Sequence, residues 1–211
     1  MARIVTAKCR MCRREGTKLF LKGEKCEGAK CTLIKRNYVP GQHGQSRRRG
    51  KPSDYLFQLR EKQKVKRTYG ILEAQFRNYF DKADRKQGVT GEILLQLLET
   101  RLDNVVYRLG LSPSRTMARQ LVSHDHFTVN GKKVNIPSYQ LKVGDKIEFI
   151  KESREGKYFK EVLPNVLTKA SAPSWLKLDV KNASGELISI PTREEIDPEL
   201  NEQLIVELYS K

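Results

Sequence analysis

Arg101-Leu102-Asp103-Asn104-Val105-Val106-Tyr107-Arg108-Leu109-Gly110, then Ser112-Pro113-Ser114-Arg115, then His126-Phe127-Thr128-Val129-Asn130-Gly131-Lys132-Lys133-Val134 set a helix end, a helix start and a hairpin in succession. Ile93, Leu94, Leu97, Leu98, Leu102, Val105, Val106 and Leu109 recur at steps of one, three and four. That spacing predicts one helix from Gly91 to Leu109, closed by Gly110. Ser112-Pro113 predicts the next helix, with a capping serine and proline at the first helical position. Its inner face is Ala118, Leu121 and Val122, and Arg115, Arg119 and Ser123, four apart, line one outward face. Asn130-Gly131 between β-prone runs is the strongest short-range hairpin signal. Leu141 and Ile147-Glu148-Phe149-Ile150 suggest further strands. The fold class is α+β: two helices packed on a small antiparallel sheet, attached to a mainly helical remainder.

This unit has a basic side. Arg101, Arg108, Arg115 and Arg119 join Lys132 and Lys133 of the hairpin tip, and residues 101–133 carry six Lys and Arg against two Asp and Glu. Asn104, Gln120, Ser123, His124, His126 and Asn130 lie alongside as polar contact candidates. The exposed N-terminus of the second helix adds backbone N–H groups for a phosphate. Taken alone, such a stripe is compatible with an ordinary solvated face.

The rest of the chain decides between those readings. The protein has 211 residues and a formal net charge of +16. Residues 1–67 hold 20 Lys and Arg against 5 Asp and Glu, whereas residues 68–211 hold 21 against 20. So strong a basic arm implies a polyanion, nucleic acid first. Asn37 to Pro52 is dense in Gly and Pro and reads as irregular chain. It contains Arg47-Arg48-Arg49 and Lys51, and no acidic residue lies between Glu27 and Asp54 to neutralise them. That run reads as a phosphate clamp, with Arg10, Arg13, Arg14, Lys35, Arg36 and His43 before it. Ser53 is a candidate N-cap; Tyr55, Leu56 and Leu59 give the next helix its apolar face, and Arg60, Lys62, Lys64, Lys66 and Arg67 its basic one. A further helix from about Leu72 to Ala83 buries Phe76, Tyr79 and Phe80.

The four cysteines are Cys9, Cys12, Cys26 and Cys31, a C-x2-C pair and a C-x4-C pair within 23 residues. Two close pairs across a short loop suit one ion held by four thiolates. The segment between, Arg13 to Leu21, is expected to form a short strand or turn too small to bury a core, so that an ion organises it. Zinc is the first expectation; an iron–sulfur cluster takes the same four thiolates. His43 is a weaker substitute ligand, since four cysteines already fill a site. No apolar run approaches the roughly 20 residues that span a bilayer, and the N-terminus lacks the apolar segment of a secretory signal. A cytoplasmic location, with reduced thiols serving as ligands, is expected.

The quoted stretch, with Ser114-Arg115-x3-Arg119-Gln120-Leu121-Val122-Ser123-His124, resembles the small RNA-binding domain named after the fourth protein of the bacterial small ribosomal subunit. Pseudouridine synthases and tyrosyl-tRNA synthetases share that module. The flanks are more specific. Val39-Pro40-Gly41-Gln42-His43-Gly44, Ser53-Asp54-Tyr55 through Arg60-Glu61-Lys62-Gln63-Lys64, Tyr69-Gly70, Gln75-Phe76-Arg77 and Asn201 to Ser210 resemble that ribosomal protein family itself. The cysteine block is similar to its metal-binding form, and residues 151–175 match least. The resemblance implies a structural protein that binds 16S rRNA at a multi-helix junction of the 5′ domain and nucleates assembly of the subunit body. It also implies contact with the fifth small-subunit protein that influences decoding accuracy, and a place near the mRNA entrance. Neither a membrane nor a small-molecule substrate is implied. In fold, it implies a metal-binding arm over 1–45 and a helical domain of 46–90 completed by 185–211. The inserted domain is 91–184, with the module at about 99–163.

Two other classes fit the sequence less well. An RNA-modifying enzyme needs a catalytic domain beyond the module; outside residues 91–150 there is no Gly-rich phosphate loop, paired-His motif or triad. A zinc-containing DNA regulator needs a finger or recognition helix with a dimerisation surface, and this cysteine block has no following His pair and no heptads.

Overall fold

The computed structural model describes residues 4–46, 53–168 and 170–210. The chain divides into two compact units, residues 1–94 with 197–211, and residues 95–196.

The first unit opens with three short helices, α1 (Lys8–Glu15), α2 (Glu24–Glu27) and α3 (Thr32–Lys35). Where a strand or turn was expected after Cys12, α1 continues to Glu15 and ends at Gly16, whose φ of 77° is the left-handed conformation glycine adopts without cost. Met11, Cys12, Leu19 and Leu21 form a small buried cluster beneath it, so the arm has a core of its own, contrary to expectation. Next come α4 (Asp54–Thr68) and α5 (Glu73–Asp84). Ser53 caps α4 as its sequence predicts, its hydroxyl accepting from the Leu56 N–H at 3.4 Å. On α5, Phe76, Tyr79 and Phe80 are buried as the spacing predicts.

The predicted continuous helix is two. The helix α6 (Thr90–Glu99) stops, Arg101 is extended with ψ of 139°, and α7 (Leu102–Arg108) starts afresh. The break is made by a distant strand of chain. The Leu102 N–H donates to Tyr139 O at 2.9 Å, the Asp103 N–H to Pro137 O at 3.2 Å, and the Leu141 N–H to Thr100 O at 3.0 Å. Leu141 thereby joins this crossing rather than a strand; Arg101 and Gln140 form only an isolated bridge. Gly110 does end the segment, with φ of 72° and its N–H on Tyr107 O.

The helix α8 (Arg115–Ser123) is capped by Ser114, not Ser112: the Ser114 hydroxyl accepts from the Met117 N–H at 3.3 Å. The Ser112 hydroxyl instead donates to Ser114 O at 3.0 Å. The hairpin forms as read, β1 (Phe127–Val129) and β2 (Lys132–Lys133), with both turn residues at positive φ, Asn130 at 50° and Gly131 at 76°. It continues with β3 (Lys146–Phe149), then α9 (Lys151–Arg154), a π-helical turn over Tyr158–Val162 and α10 (Leu163–Leu167). Two further strands, β4 (Leu176–Asp179) and β5 (Ser184–Leu187), complete an antiparallel sheet of order β2-β1-β3-β5-β4. The strand β5 pairs with both β3 and β4, and the second unit runs to Ile196. Alternate residues Phe127, Val129, Ile147 and Phe149 point into a core shared with Leu102, Val105, Val106, Leu109, Leu121 and Trp175.

The tail ends in α11 (Glu202–Tyr209), which packs along α4 within the first unit. Asn201 caps it, and Tyr209 stacks on Phe80 with ring centroids 4.5 Å apart. Among the described residues no helix is long and apolar enough to cross a membrane.

Candidate nucleic-acid interface

The basic residues expected to face RNA separate into two populations. The larger one is turned toward the protein itself. All five cations of α4 have carboxylate partners: Arg60 and Arg67 share Glu15, Lys62 and Lys66 share Glu73 at 2.7 and 2.8 Å, and Lys64 meets Glu61 at 3.4 Å. Lys64 also donates to the Glu199 carbonyl, and the Lys62 ammonium lies 5.3 Å from the Tyr209 ring centroid. The expected outer face of α4 is therefore the seam that binds α1, α5 and the tail. The two acids respond differently. Burial raises the Glu15 carboxyl above its ordinary range despite the Arg67 and Arg60 charges. At half-exposed Glu73 burial also opposes ionisation, but hydrogen bonds and charge from Lys62 and Lys66 prevail and hold it at about 2.

The module repeats this pattern more deeply. Arg101 is 0% exposed, and its guanidinium grips Asp103 with Nε at 3.2 Å and Nη2 at 3.1 Å from the two carboxylate oxygens. Arg119 reaches the same carboxylate at 3.3 Å and is buried. Asn104 is buried too, donating to the Glu99 carboxylate at 2.6 Å and accepting from Arg115 Nε at 2.8 Å. Arg108 forks onto Glu99 at 3.0 and 2.7 Å, and the Arg115 guanidinium lies 4.5 Å from the Tyr107 ring centroid. Arg101, Asn104 and Arg119 are thus framework residues rather than surface contacts. Helical spacing places Arg119 beside Arg115, but Asp103 on α7 pulls it inward. A buried carboxylate satisfied by two guanidinium groups fixes one docking of α7 on α8.

The second population remains at the surface. Lys132 and Lys133 at the hairpin tip are exposed, with Lys133 only 3.6 Å from Asp125. Gln120, Ser123 and His124 are exposed, and His126 is half-buried. Asn130 is exposed but structural: its side chain bonds Asp145 at 2.8 Å and the Lys146 N–H at 2.9 Å. In the arm, Arg10, Lys35, Arg36 and His43 are exposed and Arg14 is half-buried. Arg13 is engaged, its Nε donating to Tyr38 O at 2.9 Å and its guanidinium over the Tyr38 ring. Arg47, Arg48, Arg49 and Lys51 lie outside the described residues.

Residues 151–175, silent in sequence, contribute Ser153, Lys157 and Tyr158 beside His126. The Ser153 hydroxyl is 2.8 Å from His126 Nδ1. Tyr158 donates to Leu111 O at 2.8 Å, and burial pushes its phenol up to about 12. Lys146, Arg154 and Lys177 likewise meet across a groove of about 420 Å³ on the sheet, interleaved with Glu148, Asp179 and Glu186. The alternation of Lys146 and Glu148 along β3 is a local sequence signal by which that surface could be found.

The cysteines are gathered but not closed. Cys12, Cys26 and Cys31 are buried and Cys9 half-buried. Burial raises the Cys12 thiol, and the nearby Cys26, Cys9 and Cys31 raise it further, while a backbone hydrogen bond at Leu19 opposes this. The Lys22 N–H points at Cys26 Sγ, 3.4 Å away. Among the described residues no three His, Cys, Asp or Glu side chains stand as a ready coordination group. The donor set nonetheless fits a thiophilic ion: four sulfurs in one neighbourhood, three of them shielded from water, with a backbone donor to one sulfur.

Comparison with known proteins covers most of this chain. Residues 3–99 match the Ribosomal protein S4/S9 N-terminal domain, and residues 100–147 match the S4 domain. The chain is similar to the small ribosomal subunit protein uS4 of Heliobacterium modesticaldum, 60% identical over the whole of both chains. It is 58% identical to uS4A of Alkaliphilus oremlandii and 56% identical to uS4 of Clostridioides difficile, again over all of both chains.

Proposed function

The chain belongs to the uS4 family of small ribosomal subunit proteins, and on that premise we propose how it serves there as a structural, non-enzymatic constituent that binds ribosomal RNA. The observation that carries the reading is the division of its cations. Those of α4 and the α7–α8 seam hold the protein together, whereas Lys132, Lys133, Arg10, Lys35 and Arg36 remain exposed for phosphates. Each set is carried on the folded elements of its own unit rather than on flexible coil, which favours readout of folded RNA through its backbone.

The finer reading is that the RNA is 16S rRNA at a multi-helix junction of the 5′ domain, and that binding there nucleates assembly of the subunit body. Contact with the fifth small-subunit protein, an effect on decoding accuracy, a place near the mRNA entrance and a cytoplasmic location belong to the same reading. Zinc is the ion assigned to the arm, held by Cys9, Cys12, Cys26 and Cys31; the gathered, largely buried thiols support it, and iron–sulfur is the alternative. When bound, the ion supplies a cross-link among α1, α2 and the start of α3. Arg10 and Arg14 are neighbours of Cys9 and Cys12 in sequence and would favour the charge of the thiolate centre.

Hydroxyl-radical footprinting of small-subunit rRNA with the full chain tests this. Protections converging on one multi-helix junction are expected. Protection spread evenly along the RNA, or equal affinity for duplex DNA, would sink the reading. Metal analysis of anaerobically purified protein decides the ion: stoichiometric zinc is expected, and iron with visible absorbance would select the alternative.

A further inference from the structure

A cleft of about 560 Å³ opens in the second unit where α8 ends and β1 begins, walled on its other side by α9 and the π-helical turn. Its groups are mixed in an informative way. His124 and His126 offer two imidazoles inclined by 19°, with centroids 6.4 Å apart, and Tyr158 and Phe149 add aromatic surface. Lys133 and Lys157 supply exposed cations, and Asp125 and Glu152 bring carboxylates to the same walls. The His126 ring is oriented by Ser153. Burial, then the neighbouring His124, lowers its pKa although Asp125 opposes them.

This mixture discriminates between anions and bases. A lone phosphate in the cleft would meet Asp125 and Glu152 alongside Lys133 and Lys157, with Lys133 already 3.6 Å from Asp125, and so gains little net attraction. A nucleobase is flat, has apolar faces and carries N–H donors on its edge. It finds rings to stack on and carboxylates to accept those hydrogens, as acidic side chains do for the cytosine amino group. Its flanking phosphates fall to Lys133 and Lys157. The cleft volume lies within the usual range for small-ligand sites, roughly 300–1,000 Å³.

We propose that this cleft takes a single unstacked nucleotide of the bound RNA, recognised through its base. The inference rests on the RNA-binding reading and adds one base-selective contact to a surface otherwise fitted to shape.

The test uses the full chain with carbon-13-labelled histidine, which has three imidazoles to follow, His43, His124 and His126. The four nucleoside 5′-monophosphates and inorganic phosphate are titrated separately. At least one nucleotide should shift His124 and His126 while leaving His43 unmoved, and phosphate should shift none. His126→Ala should weaken that nucleotide about tenfold; His126→Phe, which keeps a flat ring, should retain most of the affinity. Nucleotides that move neither His124 nor His126, or phosphate moving them equally, would overturn the proposal. A parallel titration with small-subunit rRNA separates the two readings. If rRNA binds while nucleotides leave the imidazoles unmoved, only the cleft assignment fails. If nucleotides bind selectively and rRNA does not, the cleft holds and the ribosomal RNA reading fails.

Discussion

Replacing Asp103 with alanine removes the carboxylate that two buried arginines share. Arg101 is 0% exposed and gives it two hydrogen bonds; Arg119 is 8% exposed and gives it a third. Breaking a buried ion pair by deleting one partner typically costs about 3–5 kcal/mol, because the remaining charge stays buried without its compensation. A loss at that level is a large share of the roughly 5–15 kcal/mol that stabilises a typical domain. Asp103→Asn keeps an acceptor oxygen but not the charge, and should fall between wild type and alanine. Urea unfolding followed by tryptophan fluorescence reads this directly. The chain has one tryptophan, Trp175, 1% exposed in the core of the second unit. With a urea slope of about 2 kcal/mol per molar, the midpoint for Asp103→Ala should drop by roughly 1.5–2.5 M. A loss below about 1 kcal/mol would refute the argument, placing Arg101 and Arg119 where water or RNA, not Asp103, satisfies them.

Three other outcomes follow from the same contacts. Glu73 is held at about 2, so its stabilisation is complete above its ordinary carboxylate pKa and disappears as pH falls through about 2; because its side chain is 49% exposed, screening reduces the effect to about 1 kcal/mol, and Glu73→Gln should flatten that part of the acid-stability curve. Gly110→Ala should destabilise the second unit by about 2–3 kcal/mol in the same fluorescence assay, since residue 110 has φ of 72° and an added Cβ would stand 2.3 Å from Ala170 Cβ. Chelation of bound metal should lower the helical circular dichroism from α1 to α3 while leaving Trp175 fluorescence unchanged; an unchanged helical signal would mean that the Met11, Cys12, Leu19 and Leu21 cluster suffices without an ion.

What could be read in the sequence was whatever a short window determines. Asn130-Gly131, the Ser53 cap, the Gly110 stop and the buried spacing of Phe76, Tyr79 and Phe80 all depend on neighbours within a few residues. The helix break at Arg101 depends on Tyr139 and Pro137, which no local periodicity reveals. Charge pairing escapes a local reading for the same reason. Within α4 only Glu61 pairs with one of its cations, Lys64; the carboxylates for the other four arrive from Glu15 and Glu73 on neighbouring helices. Arg119 has the right spacing for an outward face and the wrong neighbour, Asp103, for staying there. The strands β4 and β5 are four residues each and gain their place through pairing with one another and with β3. The family resemblance carried the function across these gaps, because it rests on many positions at once rather than on any one surface residue.

The proposed division of labour has exposed hairpin cations bind RNA while the buried arginines hold the fold. It is tested most directly by titrating small-subunit rRNA with wild type and with the double variant Lys132→Ala, Lys133→Ala across a salt series. The double variant should keep the wild-type urea midpoint, bind more weakly, and show a salt slope shallower by about 2. Unchanged affinity and an unchanged slope would mean that the hairpin lysines do not contact RNA.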